Sequence, residues 1–260
     1  MKRQEPPAPP VVLLCGGLGL RQRTEGDDLP KPLRPLPDGR PLLLHVMDYY
    51  RAFGLCEFIL CVGYGAEDIE KLLLNEFLVR PDAIDAGAGW HRFEAAGLRI
   101  TLVDSGPRAA KNLRLLDARE HIGEGPFLLG YADVLSDFDL NALVERHTAT
   151  DGLLTLVATR VRSRFGELVV DGGTTVTGFE EKPQRPALVS AGYFMCAPEL
   201  FDALAPDTEL ETHVLPGLVA ERAVHAVVHE GLWLPLDTYK DFIDVEELMK
   251  REGFPWLEPI

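Results

Sequence analysis

The run Val11-Val12-Leu13-Leu14-Cys15, closed by Gly16-Gly17, restricts this chain more than any other segment. Five consecutive apolar residues stopping at a glycine pair read as a buried strand entering a tight turn. A second unit of the same kind follows, Phe58 to Val62 and then Gly63-Tyr64-Gly65. Residues 45–53 and 66–78 carry helical patterning around it. Strand, helix, strand, helix in alternation predicts parallel pairing and a Rossmann-like, three-layer α/β sandwich with a mostly parallel, mixed sheet. Further strands are expected at 98–103, 126–130, 153–160, 167–170, 174–179, 192–196 and 223–229, and helices at 140–148, 198–204 and 238–252. Asp171-Gly172-Gly173 suits a hairpin turn. Residues 1–10 are Pro-rich and expected to form a disordered tail; with no repeat or linker beyond them, residues 11–260 read as one domain.

Charge narrows the partners. Of 260 residues, 41 are acidic and 26 basic, a formal charge of −15 that repels nucleic acid and anionic lipid. A local basic pocket for a small phosphorylated substrate remains compatible with it. No apolar stretch approaches the ~20 residues that span a bilayer. The N-terminal segment lacks a small-residue cleavage site, and Glu5 and four prolines separate Lys2-Arg3 from the apolar run. The four cysteines form no CxxC pair, which fits free thiols in a reducing compartment. A cytoplasmic protein is expected.

Two fragments point to phosphate chemistry. Gly16, Gly17 and Gly19 follow a buried strand, where glycines let backbone N–H groups approach an anion without a Cβ in the way. Neither a dinucleotide fingerprint nor a P-loop is present, and a plain tight turn is the competing reading. In Pro30-Lys31-Pro32, prolines stiffen the backbone around one lysine, which suits a phosphate clamp as well as it suits an ordinary Pro-rich loop. Residues 20–40 read as a long loop, a form that is uncommon unless it works on something. Asp133 at a strand end and Asp237 before a helix could each be a turn former or cap, or a metal ligand. His225 and His229 share a strand face, but no third ligand stands at a sensible spacing.

Together, Gly16-Gly17-Leu18-Gly19-Leu20-Arg21 and Pro30-Lys31-Pro32 resemble the opening of the sugar nucleotidyltransferases. The resemblance continues in order and sharpens toward the glucose-1-phosphate cytidylyltransferases. It runs through Cys61-Val62-Gly63-Tyr64, Thr101 to Gly106, Tyr131 to Asp137, Arg164-Phe165-Gly166, Phe179-Glu180-Glu181-Lys182-Pro183, Gly192-Tyr193-Phe194 and Glu230 to Thr238. It implies a transfer of a nucleoside monophosphate from an NTP, CTP first, to a sugar 1-phosphate or a cyclitol phosphate, releasing pyrophosphate. Arg21 and Lys31 would hold the triphosphate, and Lys182 the sugar phosphate. Gly16, Gly17, Gly19 and Tyr64 would contact the nucleotide; Ser190, Gly192 and Glu211 would contact the acceptor. Asp133 and Asp237 would share Mg²⁺. A homo-oligomer is also implied. The chemistry agrees: both reactants are anions, so a catalyst must neutralise and align them, and a phosphate nucleophile needs no general base.

This sequence departs from the family pattern at Leu20, in place of a threonine, and at Ala132 and Val134, in place of glycines. Lys111-Asn112-Leu113-Arg114 replaces a Gly-Gly-Arg segment, and residues 186–192 replace a glycine-rich sugar loop. The phosphate and metal framework is kept better than the specificity framework. The same chemistry with UTP, dTTP, GTP or ATP, and a non-catalytic regulator that binds nucleotide or sugar phosphate, are the alternatives.

Overall fold

The computed structural model describes residues 8–16, 29–163 and 165–257. The first half runs β1 (Val11–Leu14), α1 (Leu42–Ala52), β2 (Glu57–Val62), α2 (Ala66–Glu76), β3 (Asp85–Gly87), β4 (Trp90–Ala95), β5 (Leu98–Asp104), α3 (Lys111–Ile122) and β6 (Phe127–Tyr131). The second runs β7 (Val134–Ser136), α4 (Leu140–Thr148), β8 (Leu154–Arg162), β9 (Glu167–Val170), β10 (Val176–Glu180), β11 (Gln184–Cys196), α5 (Leu215–Ala220), β12 (Val224–His229), β13 (Trp233–Pro235) and α6 (Tyr239–Glu252).

Nine strands form one mixed sheet in the order β12-β8-β11-β6-β1-β2-β5-β4-β3. β1 lies at its centre and pairs in parallel with β2 and β6. β11 and β4 run against their neighbours. The unbroken apolar run of β1 now has its reason. Val11 and Leu13 enter a core shared with α1, α2 and α4, whereas Val12 and Leu14 enter a second core shared with α3 and α5. A strand covered on both faces has no solvent side to make polar. The expected three layers are present. No helix among the described residues is long and apolar enough to cross a membrane.

Several elements differ from the sequence expectation. α1 starts at Leu42, directly after Pro41 as its N-cap residue. α3 was not anticipated, because its buried face includes Asn112 and Arg114 and so hides the apolar period. β11 is 13 residues long, not five; Pro186 obscured its first half and lies where the pairing with β8 shifts register, a position that tolerates proline. Residues 198–203 form a 3-10 helix. The β3–β4 hairpin and the short pair β7–β13 were also unexpected.

Candidate active site

Asp133 and Asp237 are brought together by two very short strands. Asp133 occupies the turn from β6 to β7, and Asp237 follows β13. β7 and β13 pair antiparallel with Val134 opposite Pro235, and the Leu236 N–H donates to the Asp133 carbonyl at 3.0 Å. The pairing is braced by Asp137, whose carboxylate accepts from the Leu232 N–H at 2.8 Å and meets His229 Nε2 at 2.9 Å. Asp237 does not cap α6. Thr238 does, with Asp241 accepting from the N–H groups of Thr238 (2.6 Å) and Asp237 (2.8 Å). The capping box leaves the Asp237 carboxylate for other work.

That work is shared with Lys31. Its ammonium donates to Asp133 Oδ2 at 2.8 Å and to Asp237 Oδ1 at 2.6 Å. Burial opposes the charge of Lys31, yet the two carboxylates outweigh it and hold the pKa above its ordinary value. Lys31 starts a 3-10 turn, and Pro30 before it packs on Gly65, where a Cβ would lie 2.1 Å from the ring. The double proline thus anchors the lysine to the turn after β2.

Gly16 follows β1 by two residues, beside that turn, its N–H donating to the Cys61 carbonyl at 3.1 Å. Arg114 lies behind it, only 2% exposed. Its guanidinium donates to the carbonyls of Val62, of Gly106 at 3.1 Å and of Ala109 at 3.2 Å. Burial lowers its pKa, but a guanidinium stays protonated in a protein. A Cβ on Gly16 would lie 2.1 Å from Arg114 Nη1, and one on Gly63 2.3 Å from the same atom. Both glycines are bare because an arginine fills the space between them. A cavity of about 140 Å³ opens above, lined by Gly16, Lys31, Pro32, Ala132 and Asp133 among others. A larger one, about 830 Å³, adjoins Asp237 between β8, β13 and the start of α6.

The acceptor candidates are only partly gathered. Glu211 sits on a π-helical turn, Leu210–Val214, and its Oε1 accepts from Lys111 Nζ at 2.6 Å and from the Tyr131 hydroxyl. Burial works to raise the Glu211 pKa, but these two hydrogen bonds and the lysine charge hold the carboxyl below its ordinary range. Gly192 has φ +86°, and a Cβ there would press on the Tyr131 ring at 2.8 Å. Ser190 is exposed and accepts from the Gly192 N–H at 3.4 Å. Tyr64 lies half-buried in the turn after β2. Lys182 is not drawn to the aspartates: its ion pair is with Glu181, at 3.8 Å, in the turn between β10 and β11. Its φ of +49° is unusual for a residue preceding proline, and such strain concentrates at functional positions. Gly17, Gly19 and Arg21 lie outside the described residues, as does Arg164.

Sequence reasoning did not single out Lys111, Gly63 or the packing role of Arg114. A signal for the last existed: glycines following two strands of the buried, apolar type, whose bare backbone leaves room for a large side chain. Two carboxylates converging on one cation form a hard oxygen donor set suited to Mg²⁺, which takes one or two protein carboxylates and keeps water for the rest. Among the described residues no larger cluster of His, Cys, Asp and Glu converges on one point.

Asp133 just past the carboxyl end of β6, Asp237 after β13 and Lys31 between them stand beside the Gly16 turn, on the edge of an α/β sheet where ligands of such proteins bind. Residues 10–252 match the model of the Nucleotidyl transferase family, and the chain belongs to that family. It is 32% identical over 251 residues to a probable glucose-1-phosphate cytidylyltransferase of Bacillus subtilis, covering 95% of this chain and 98% of that protein. It is 33% identical over 254 residues to the glucose-1-phosphate cytidylyltransferase of Salmonella typhi, with the same coverage. Among solved structures the fold is similar to that of the inositol-1-phosphate CTP transferase from T. maritima, with 19% identity, a TM-score of 0.64, and 94% and 95% of the two chains covered. It is likewise similar to HddC from Yersinia pseudotuberculosis, with 20% identity, a TM-score of 0.68, and 93% and 100% covered.

Proposed function

We propose that this chain transfers a nucleoside monophosphate, CMP first, from its triphosphate to a sugar 1-phosphate or sugar-like cyclitol phosphate, releasing pyrophosphate. The observation that carries the reading is the bridging of Asp133 and Asp237 by Lys31 beside Gly16. The cytidylyltransferase relatives favour CTP as donor.

Asp133 and Asp237 are the residues that would hold Mg²⁺. When bound, that ion neutralises phosphate oxygens and acts as a Lewis acid. Lys31, fixed by the same carboxylates and by Pro30 on Gly65, supplies a cation at a set position for the triphosphate. Gly17 and Gly19 would offer backbone N–H groups, Gly16, whose own N–H is taken by the Cys61 carbonyl, a close approach without a Cβ, Arg21 a second cation for the departing pyrophosphate, and Tyr64 a flank of the nucleotide pocket. Glu211, Ser190 and Gly192 border the acceptor. Lys182 stands on an exposed turn, and in this proposal it moves in to hold the acceptor phosphate. The nucleophile is a phosphate oxygen that is already charged, so the residues align and neutralise rather than remove a proton.

The proposal extends to assembly and compartment. β9 and β10 form a two-stranded ribbon with Leu168, Val169, Val176 and Phe179 all at least half exposed. Such a ribbon is marginal alone, and apolar patches of this kind mark interfaces, which supports a homo-oligomer. Four free cysteines suit the cytoplasm, as does an NTP substrate.

Pyrophosphate release in Mg²⁺, with five nucleoside triphosphates against a panel of sugar and cyclitol 1-phosphates, tests the reading. Release with one pair, lost in Asp133→Asn, is expected. A chain that binds triphosphate but releases nothing across the panel would return the weight to the regulator.

A further inference from the structure

Lys111 breaks a local rule. It is the first residue of α3, where a cation opposes the helix dipole. The N-cap position holds Ala110 with no side-chain cap, and no acidic residue stands in the first turn to offset the charge. A side chain that local structure disfavours is explained by what it does elsewhere. Its Nζ reaches across to Glu211 Oε1 at 2.6 Å and lies 4.9 Å from the centre of the Tyr131 ring. The Tyr131 hydroxyl donates to the same Oε1.

Two donors on one oxygen fix the carboxylate in rotation. Both side-chain donors meet Oε1, the carboxylate also takes its own backbone N–H, and the side chain is 36% exposed, open to a further donor. The carboxyl is held ionised and therefore only accepts hydrogen bonds. A fixed, accepting oxygen beside Tyr131 selects a ligand that brings an O–H donor to that place. Tyr131 stands two residues before Asp133 and against Gly192, on the side where the acceptor would lie. The carrier of Glu211 is a π-helical turn, a rare form that is frequent at functional sites.

We infer that Lys111 is a positioning residue for the acceptor: with Tyr131 it pins one oxygen of Glu211 so that the other accepts from a hydroxyl of the sugar or cyclitol ring. This rests on the transferase reading above. It makes acceptor selection depend on a residue that touches neither phosphate nor metal.

The test uses the full chain, with CTP as one ligand and glucose 1-phosphate and inositol 1-phosphate as acceptor probes. Binding isotherms are measured for wild type, Lys111→Met, Lys111→Arg, Glu211→Gln and the Lys111→Met/Glu211→Gln double variant. Lys111 is half-exposed, and an unchanged unfolding midpoint of each variant confirms that the fold is kept. Lys111→Met is expected to weaken the bound acceptor about tenfold, the size of one charge-assisted hydrogen bond. CTP affinity stays within about twofold, Lys111→Arg recovers most of the loss, and the double variant is no weaker than Glu211→Gln. A loss that falls on CTP, a Lys111→Met effect that persists in full without Glu211, or no loss at all overturns the inference. So does a wild type that binds neither probe. Pyrophosphate release by the wild type across the wider panel judges the transferase reading separately, since the isotherms need no turnover.

Discussion

Gly16→Ala is expected to cost about 2–4 kcal/mol of stability, nearly all of it through Arg114. The added Cβ would lie 2.1 Å from Nη1, 2.5 Å from Cζ and 3.1 Å from Nη2 of that arginine, and its three nearest neighbours are all in this one side chain. Ordinary contact begins at 3.4 Å, so the guanidinium must retreat by 3.4 − 2.1 = 1.3 Å. A free arginine would swing aside at little cost. This one is tied to three carbonyls and backed by Gly63, whose own Cβ position is 2.3 Å from Nη1. Retreat breaks at least one hydrogen bond to a charged donor, about 1.5–3 kcal/mol, and adds overpacking of about 1 kcal/mol or more. In an Arg114→Met background the flexible thioether has no such bonds, and the same substitution should cost under about 1 kcal/mol. Urea unfolding of the four proteins of the cycle measures both. Wild-type Gly16→Ala should lower the midpoint by roughly 1 M. Equal losses in both backgrounds, within about 0.5 kcal/mol, would refute the account of why Gly16 is glycine.

Asp133→Asn and Asp237→Asn should each lower turnover at least about a hundredfold while triphosphate still binds; a variant retaining more than a tenth of wild-type turnover would remove that aspartate from the metal pair. Burial lowers the pKa of His45, His121 and His147 below the ordinary 6.5, with Arg92 adding to the effect at His121 and His225 at His147. The unfolded chain therefore binds protons that the folded one refuses, so stability is full above about pH 6.5 and falls as pH drops below it. Urea midpoints at pH 7.5 and 5.5 should differ in that sense, and equal midpoints would sink the idea. Thr238→Ala removes the capping side chain of α6 and should cost about 0.5–2 kcal/mol by thermal unfolding; because Asp237 is the adjacent residue, turnover should fall more than stability, and a variant with unchanged turnover would contradict the cap's part in aiming Asp237.

The fold was legible where one pattern decided the structure. β1 and β2 announced themselves because their residues are apolar on both faces, and α4 was read to the residue because its stripe is regular. α3 was not, since two of the five residues it buries are polar: Asn112 donates to Thr208 at 2.7 Å and Arg114 serves three carbonyls. Thr208 and Val62 are distant in sequence, Gly106 and Ala109 lie in the loop just before the helix, and periodicity carries no trace of any of them. The same holds at the site. Lys31 could be suspected from its prolines, and Asp133 and Asp237 from a family resemblance. That all three touch depends on β7 and β13, which are too short to show a strand pattern at all.

Those two strands also set an order of events. The ribosome delivers β1, β2, β5 and β6 early, together with Lys31 and Asp133. All nine strands of the main sheet precede Asp237 in the chain. Only when β13 lays itself along β7 does the second carboxylate reach the lysine. Until then Lys31 and Asp133 stand without their second carboxylate partner.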